Sequence, residues 1–388
     1  MSDNKIIYMD NNATTRVYEE VLEVMLPYFK DKYYNPSSMY SPAGAVHKEM
    51  EKARGEVADF LGCDPIEVCF VSCGSEGDNM AIRGTIEAYP TKNHIITTRV
   101  EHPAVIETCK SLERLGYRIT LLDVDSDGNI NIDDLKKAIN DNTAIVSIMY
   151  ANNETGVIFP VKEIGEIVKN AGAVFHVDAV QAAGKLPLIM KDEPYIDMLT
   201  IAGHKIHAPK GIGALYIKKG TKLRTVQTGG HQERGRRAGT ENVPYIIGLG
   251  KAASMVKAEL PKFIEHTSKL RDKLEEEVLK RIKEVKINGR GAKRVSNTAN
   301  ISFKNIEGEA ILLLLDGYGI CTSSGSACSS GTLEPSPVLQ AMGVPFEYAH
   351  SSTRFSLSLD NTMEEIMYTA DAIEKIVARL RDISPYRD

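Results

Sequence analysis

Lys205 is the residue whose setting in the sequence points most directly to chemistry. It lies in the segment 200–211, between an apolar run and a turn rich in Gly and Pro. A lysine at the end of a buried strand loses solvation unless its amine is used, and a desolvated amine is suited to forming a Schiff base. From this segment alone a solvated turn residue is an equally good interpretation, because charged side chains are mostly exposed.

Polar residues follow several other predicted strands, and each has a plain structural alternative. Gly74 and Ser75 open a helix, where backbone N–H groups could hold a phosphate, although an ordinary helix cap would explain them too. Asn153 leaves an apolar strand, with an Asx turn as the alternative. Asp178 also ends an apolar run, so it could pair with a protonated pyridine nitrogen or cap a helix. His102 adds an imidazole in a loop, where lone histidines are more often structural.

A run of small residues at 322–331 surrounds Cys328. One interpretation is a flexible surface loop with an incidental thiol. A cysteine in an exposed loop is unusual, however, because free cysteines are among the most buried residues. A thiolate on a loop of this composition could act as a nucleophile.

The elements that must position these residues alternate between helix and strand. The periodicity predicts helices at 17–28, 43–61, 77–89, 104–115, 132–139 and 161–170. It predicts strands at 67–71, 94–98, 118–122, 144–150, 173–177, 196–202 and 212–217. This order indicates an α/β fold with a mainly parallel sheet, which collects ligand-binding residues at the carboxyl ends of its strands. A long helical region at 245–286, interrupted at Leu260-Pro261, precedes a smaller α+β domain that begins near 298.

The bulk composition excludes several classes of function. The chain has 388 residues, a net charge of −5 and no basic block, so neither nucleic acid nor an anionic membrane is expected as a partner. Its six cysteines form no CxxC pair, which indicates a cytoplasmic protein without zinc or disulfides. The aspartates at 123–134 are spaced like a calcium loop, but a strand precedes them where that loop needs a helix. No metal site is expected.

Taken together, the segments resemble the cysteine desulfurases of the NifS/IscS family, enzymes that use pyridoxal 5'-phosphate (PLP) and have the aspartate-aminotransferase fold (fold type I). The resemblance extends over nearly the whole chain and includes the motifs at 8–15, 35–38, 237–242 and 354–357, with NifS-like residues at 207–209 and 356–358. It implies a seven-stranded, mainly parallel sheet. It also implies a large PLP-binding domain at 16–255 and a small domain at 1–15 and 256–388, which carries a catalytic loop at about 321–332.

The resemblance also assigns roles to residues. Lys205 would form the Schiff base with PLP, Asp178 would pair with the pyridine nitrogen, Gln181 would bind the ring hydroxyl, and His102 would stack on the ring and handle protons. The phosphate would be held by Gly74, Ser75, His204 and, from a partner subunit, Thr240. Ala202 stands in this cradle where many relatives have serine. Asn153, beside the cofactor, and Arg354 would bind the substrate, and Cys328 would be the catalytic thiolate.

The implied reaction removes sulfur from L-cysteine, giving L-alanine and a persulfide on Cys328. An iron–sulfur scaffold protein would accept the sulfur, and the enzyme would be a homodimer. A selenocysteine lyase or an aminotransferase would share the PLP site without needing Cys328. A non-enzymatic persulfide carrier would keep Cys328 but tolerate the loss of Lys205.

Overall fold

The computed structural model describes residues 6–324 and 335–383. The helices are α1 Glu19–Met25, α2 Pro27–Lys30, α3 Ser41–Leu61, α4 Gly74–Ala88, α5 Pro103–Glu113, α6 Ile132–Ala138, α7 Val161–Asn170, α8 Val243–Arg281, α9 Gly308–Gly317, α10 Pro337–Ala341, α11 Phe346–Ala349 and α12 Met363–Ile383. The strands are β1 Ile7–Tyr8, β2 Val68–Val71, β3 His94–Thr98, β4 Arg118–Leu122, β5 Thr143–Met149, β6 Val174–Asp178, β7 Met198–Ala202, β8 Gly213–Ile217, β9 Val285–Ile287, β10 Thr298–Phe303, β11 Ile320–Cys321, β12 Ser323–Ser324 and β13 Thr353–Ser356.

The central sheet has seven strands in the order β2-β8-β7-β6-β5-β3-β4. Its strand pairs are parallel except those of β8, which runs antiparallel to β2 and β7. The interior strands are apolar and buried along their length because helices cover both faces. The expected α/β fold with a mainly parallel sheet is confirmed.

A second core lies around the four-stranded antiparallel sheet β12-β13-β10-β9. The N-terminal strand β1 pairs with β11 and packs against this core, so the start of the chain joins its C-terminal part. Helix α8 contacts both cores. Val243 and Val256 pack against the sheet core, and Leu270 and Val278 pack against the second core.

Three local predictions need correction. The predicted interruption at Pro261 is wrong, because α8 runs through it. The ring removes one helical N–H, but the packing of both halves of the helix outweighs this loss. The same region ends at Arg281 rather than at Lys286, which belongs to β9. The predicted first helix is two short helices, because Pro27 begins a new one. In the part of the chain that the structure describes, no helix is long and apolar enough to cross a bilayer.

Candidate active site

The polar segments that follow the sheet strands converge at one edge of the sheet. Asp178 is the last residue of β6, and Ala202 is the last residue of β7, which runs parallel to β6. His102 lies in the loop between β3 and α5, and Gly74 begins α4 directly after β2. Parallel strands place such residues in a single crevice outside their carboxyl ends.

Lys205 ends a short 3₁₀ turn, 203–205, that directly follows β7. Its side chain is half-buried, and its Nζ donates to the backbone carbonyls of Asn12 and Ala13, the second at 2.8 Å. Hydrogen bonds from Thr15 to the carbonyl of His204 hold the turn against the N-terminal segment. The amine is therefore anchored at the strand edge rather than free in solvent.

Asp178 and His102 lie close enough to Lys205 for their charges to interact. Burial raises the pKa of the Asp178 carboxyl, while a bond from the Val180 N–H at 2.9 Å and the charges of His102 and Lys205 oppose that rise. Burial also lowers the pKa of His102, against the attraction of Asp178. The Nδ1 of His102 accepts from the N–H of Ala104 at 3.1 Å, so the neutral ring carries its proton on Nε2.

The phosphate cradle is expected at the first turn of α4. Its leading N–H groups have no partners within the helix, and the helix dipole favours an anion there. Gly74 packs so closely that a Cβ on it would lie 2.9 Å from Val180 and 3.6 Å from the Ala202 Cβ, so Ala202 lines the cradle. Ser75 is exposed on this turn. His204 lies near Lys205, and burial, together with the charge of Lys205, lowers its pKa to about 4.

Gln181 is buried in the turns that follow β6. Its Nε2 donates to the backbone carbonyl of Asn12 at 3.0 Å, and this carbonyl also accepts from Lys205. The Gln181 amide and the Lys205 amine thus share one acceptor and lie next to each other.

Arg354 in β13 brings the second core to the site. Its Nη1 donates to the backbone carbonyl of Asn153 at 3.1 Å, and its Nη2 donates to Asp10 at 2.8 Å. Its buried Nε has no hydrogen-bond partner among the described residues. The Asn152 side chain forms the Asx turn, accepting from the N–H groups of Glu154 and Thr155, which leaves the half-buried Asn153 beside Arg354.

One predicted site residue lies apart from this group, and another falls outside the described residues. Thr240 is exposed on the segment before α8, and Cys328 lies outside the described residues. A nearby ion pair ties the Thr240 segment to the cradle, since the Nε of Arg237 lies 2.7 Å from Glu76 in the first turn of α4. Burial raises the pKa of Glu76, but hydrogen bonds from Arg237 and Ser72 outweigh this effect and hold it below its usual range.

The residues present fit PLP. The closely packed first turn of α4, which begins at Gly74, leaves N–H groups for a phosphate. Asp178 offers a buried acceptor, and Lys205 offers an anchored amine. Bound there, the cofactor would be held by the α4 turn and His204 at its phosphate, by Asp178 at its ring nitrogen, and by Lys205.

The sequence predictions gave no role to three groups at this site. Lys185 is buried and binds both Gln181 and Asn12, Asp10 holds Arg354, and Glu101 lies buried beside Asp178 with its pKa raised to about 8, chiefly by burial. The available signals were the position of Asp10 in the N-terminal motif, that of Glu101 directly before His102, and that of Lys185 four residues after Gln181.

Comparison with known proteins agrees with this geometry. The family model described as aminotransferase class-V matches residues 7–368. The chain is 55% identical to a cysteine desulfurase of Nostoc sp., over 99% of this chain and 96% of that protein. It is 48% identical to the cysteine desulfurase NifS of Azotobacter vinelandii, over 98% of this chain and 94% of that protein. The solved structure of a NifS-like protein superposes with a TM-score of 0.91 at 39% identity, covering 97% of this chain and 100% of the other. The chain therefore belongs to the class-V aminotransferase family and, within it, to the cysteine desulfurases of the NifS/IscS type.

Proposed function

We propose that this protein is a cysteine desulfurase that binds PLP through Lys205 and uses Cys328 to take sulfur from L-cysteine. The convergence of Lys205, Asp178 and His102 in one crevice is the observation that carries the proposal. When bound, PLP supplies an electron sink for negative charge at the substrate Cα. All other steps fall to residues of this chain.

Each of these residues has a distinct task. Arg354 and Asn153 hold the substrate carboxylate, because a guanidinium matches its geometry. The Lys205 amine moves the proton at Cα. The Cys328 thiolate attacks the substrate sulfur, so that the carbon–sulfur bond breaks, its electron pair stays on carbon and is protonated to give alanine, and the sulfur remains as a persulfide. His102, whose neutral ring carries its proton on Nε2, would exchange a proton with the substrate.

The persulfide then passes to an iron–sulfur scaffold protein in the cytoplasm, a reducing compartment in which thiols persist. We assign residues 16–255 to a large PLP-binding domain, and residues 1–15 and 256–388 to a small domain that delivers the loop at about 321–332. The small domain contributes Arg354 to the site, so movement between the two cores would open or close it.

We also propose that the enzyme is a homodimer in which Thr240 binds the phosphate in the partner's site. Apolar side chains along α1, α2 and the segment after them favour an interface there. In the single chain Leu26, Phe29, Tyr33 and Met39 are 55%, 56%, 69% and 103% exposed. A second copy would cover these side chains.

The test compares two cysteines of the same region. Cys328→Ser should keep the visible absorbance of bound PLP but release no sulfide from L-cysteine with a reductant. Cys321→Ser is the matched control, because Cys321 is a strand residue whose thiol pKa is raised by burial, and this variant should keep its turnover. Lys205→Ala should lose the visible band.

Each outcome bears on a different part of the proposal. Full desulfurase turnover by Cys328→Ser would remove Cys328 from the mechanism, and an unchanged spectrum in Lys205→Ala would remove the cofactor assignment. Parallel assays with L-selenocysteine and with a keto acid would show a selenocysteine lyase or an aminotransferase by their faster turnover.

A further inference from the structure

A second lysine, Lys185, lies buried behind the site. Only 4% of its surface is exposed, and its Nζ donates to the Oδ1 of Asn12 at 2.9 Å and to the Oε1 of Gln181. Within the described part of the chain, both of these partners are neutral amide oxygens. Burial of an amine without a counter-charge is costly, so its contacts need an explanation.

The orientation of both amides is fixed by groups that can only accept. The Nε2 of Gln181 donates to the backbone carbonyl of Asn12, so its Oε1 must face Lys185. The Nδ2 of Asn12 donates to the backbone carbonyl of Asn153 at 3.2 Å, so its Oδ1 must face Lys185 as well. Lys185 therefore donates to both oxygens, and even an uncharged amine has the two N–H groups that this requires.

The charges around Lys185 agree with an uncharged amine. Burial, with the positive charges of Lys205 and Arg354, holds its pKa well below the usual range. A cavity of about 20 Å³ adjoins both lysines and is also lined by Tyr18, His207 and Glu259. The Tyr18 hydroxyl donates to Glu259 at 3.1 Å, and burial lowers the pKa of His207 to about 4.

We propose that Lys185 is a positioning residue that fixes the Gln181 amide, so that the second N–H of its Nε2 points at the ring oxygen of PLP. The same contact holds Asn12, whose backbone carbonyl accepts from both Gln181 and Lys205. Without Lys185, the buried Oε1 of Gln181 loses this donor and the Oδ1 of Asn12 keeps only the Nδ2 of Asn297, at 3.3 Å, so the Gln181 amide is held at one end only. This inference rests on the proposed function, because it requires PLP linked to Lys205.

The test is a double-mutant cycle read by spectroscopy. Wild type, Lys185→Met, Gln181→Ala and the double variant are loaded with PLP, and their visible absorbance is titrated with pH. The PLP Kd of each apoprotein is measured in parallel. Each single variant should raise the midpoint of the absorbance change by about one pH unit, because loss of the N–H donor destabilises the ring oxyanion and favours the protonated form. The double variant should match Gln181→Ala alone.

Two further variants guard against a general loss of stability. Lys92→Met removes a half-buried amine that donates to the carbonyls of Thr143 and Gly172 at the opposite end of the sheet, and it should titrate like wild type. Lys185→Gln keeps an N–H donor, so it should shift the midpoint less than Lys185→Met. If Lys185→Met fails to fold, Lys185→Gln takes its place in the experiment.

The failures can be told apart. The inference would be overturned if wild type shows a normal band and Lys185→Met has the same pH midpoint. It would also be overturned if the midpoint shifts of the two single variants add in the double variant. Either result would leave the proposed function intact. A wild type without a band that depends on Lys205 would overturn both.

Discussion

Arg354 shows how a single side chain can be prepared for a carboxylate. Asp10 and the carbonyl of Asn153 hold its two terminal nitrogens at 2.8 and 3.1 Å, so the planar group cannot rotate freely. A lysine in its place would keep the charge but lose the fork that binds two oxygens together. The orientation of the guanidinium, more than its charge, should therefore determine substrate affinity.

We expect Arg354→Lys to lower kcat/KM for L-cysteine about 30-fold, mainly through KM, since about 2 kcal/mol of bidentate binding is lost. Steady-state kinetics with L-cysteine measures this. Arg294→Lys is the matched control, because Arg294 makes a buried two-point contact with Glu275 of α8, at 2.7 and 2.9 Å. It should lose stability without a change in KM. An equal KM change in both variants would contradict a specific role for Arg354.

His176 lies beneath the site, in β6 and two residues before Asp178, and it should make the stability of the protein depend on pH. It is fully buried between the hydroxyls of Ser147 and Thr200, and burial lowers its pKa to about 3. In the unfolded chain a histidine titrates near pH 6.5. Between these two values the unfolded chain binds the extra proton, so stability is present above pH 6.5 and is lost as the pH falls towards 3.

Wild type should therefore lose about 2 kcal/mol more stability between pH 7 and pH 5 than His176→Gln, which has no group to titrate there. Urea unfolding of the two proteins at both pH values measures this difference. Glu101, with its pKa raised to about 8, works in the opposite direction in both proteins and cancels in the comparison. Parallel pH curves would show that His176 is not kept neutral by burial.

At the scale of elements, the local pattern of apolar and polar residues predicts strands and helices that short stretches of sequence determine. The strands that end at Asp178 and Ala202 were found to within a residue or two, because their apolar runs are continuous and polar residues follow them. The interruption predicted at Pro261 is wrong, because the hydrogen bond that the proline removes is outweighed by packing against two cores. The local sequence does not reveal that packing. Lys185 was missed for a related reason, since its partner Asn12 lies 173 residues away.

Helix α8 allows the cost of the hydrogen bond lost at Pro261 to be measured against the packing that maintains the helix. Pro261 is exposed within the helix, so its ring removes a hydrogen bond without contributing to a core. Pro261→Ala should raise the free energy of unfolding by about 2 kcal/mol, because the helical N–H is restored. Urea unfolding measures it, with the exposed neighbour Lys262→Ala as the control for an added alanine. Destabilisation by Pro261→Ala would mean that the helix needs the proline.

At the scale of the whole molecule, the site in one chain brings together Lys205 and Arg354 but leaves Thr240 exposed. In a symmetric dimer the same surface of each copy meets the other, so a residue exposed in one chain can complete the partner's site. If Thr240 binds the phosphate in the partner's site, a Thr240 variant and a Lys205 variant should complement each other in a mixed dimer.

Co-expression of two differently tagged inactive variants tests this. Lys205→Ala lacks the linking amine, and Thr240→Asp places a negative charge against the phosphate. In a mixed dimer one site carries both defects and the other carries neither, if Thr240 acts across the interface. With random assortment, half of the dimers are mixed and each has one good site, so desulfurase activity should return to about a quarter of the wild-type level. Lys205→Ala paired with Arg354→Ala is the control, because these residues share one chain's site and every site in that mixture stays defective. Recovery in the control would contradict the assignment of Lys205 and Arg354 to one chain's site, and no recovery with Thr240→Asp would place Thr240 in its own chain's site.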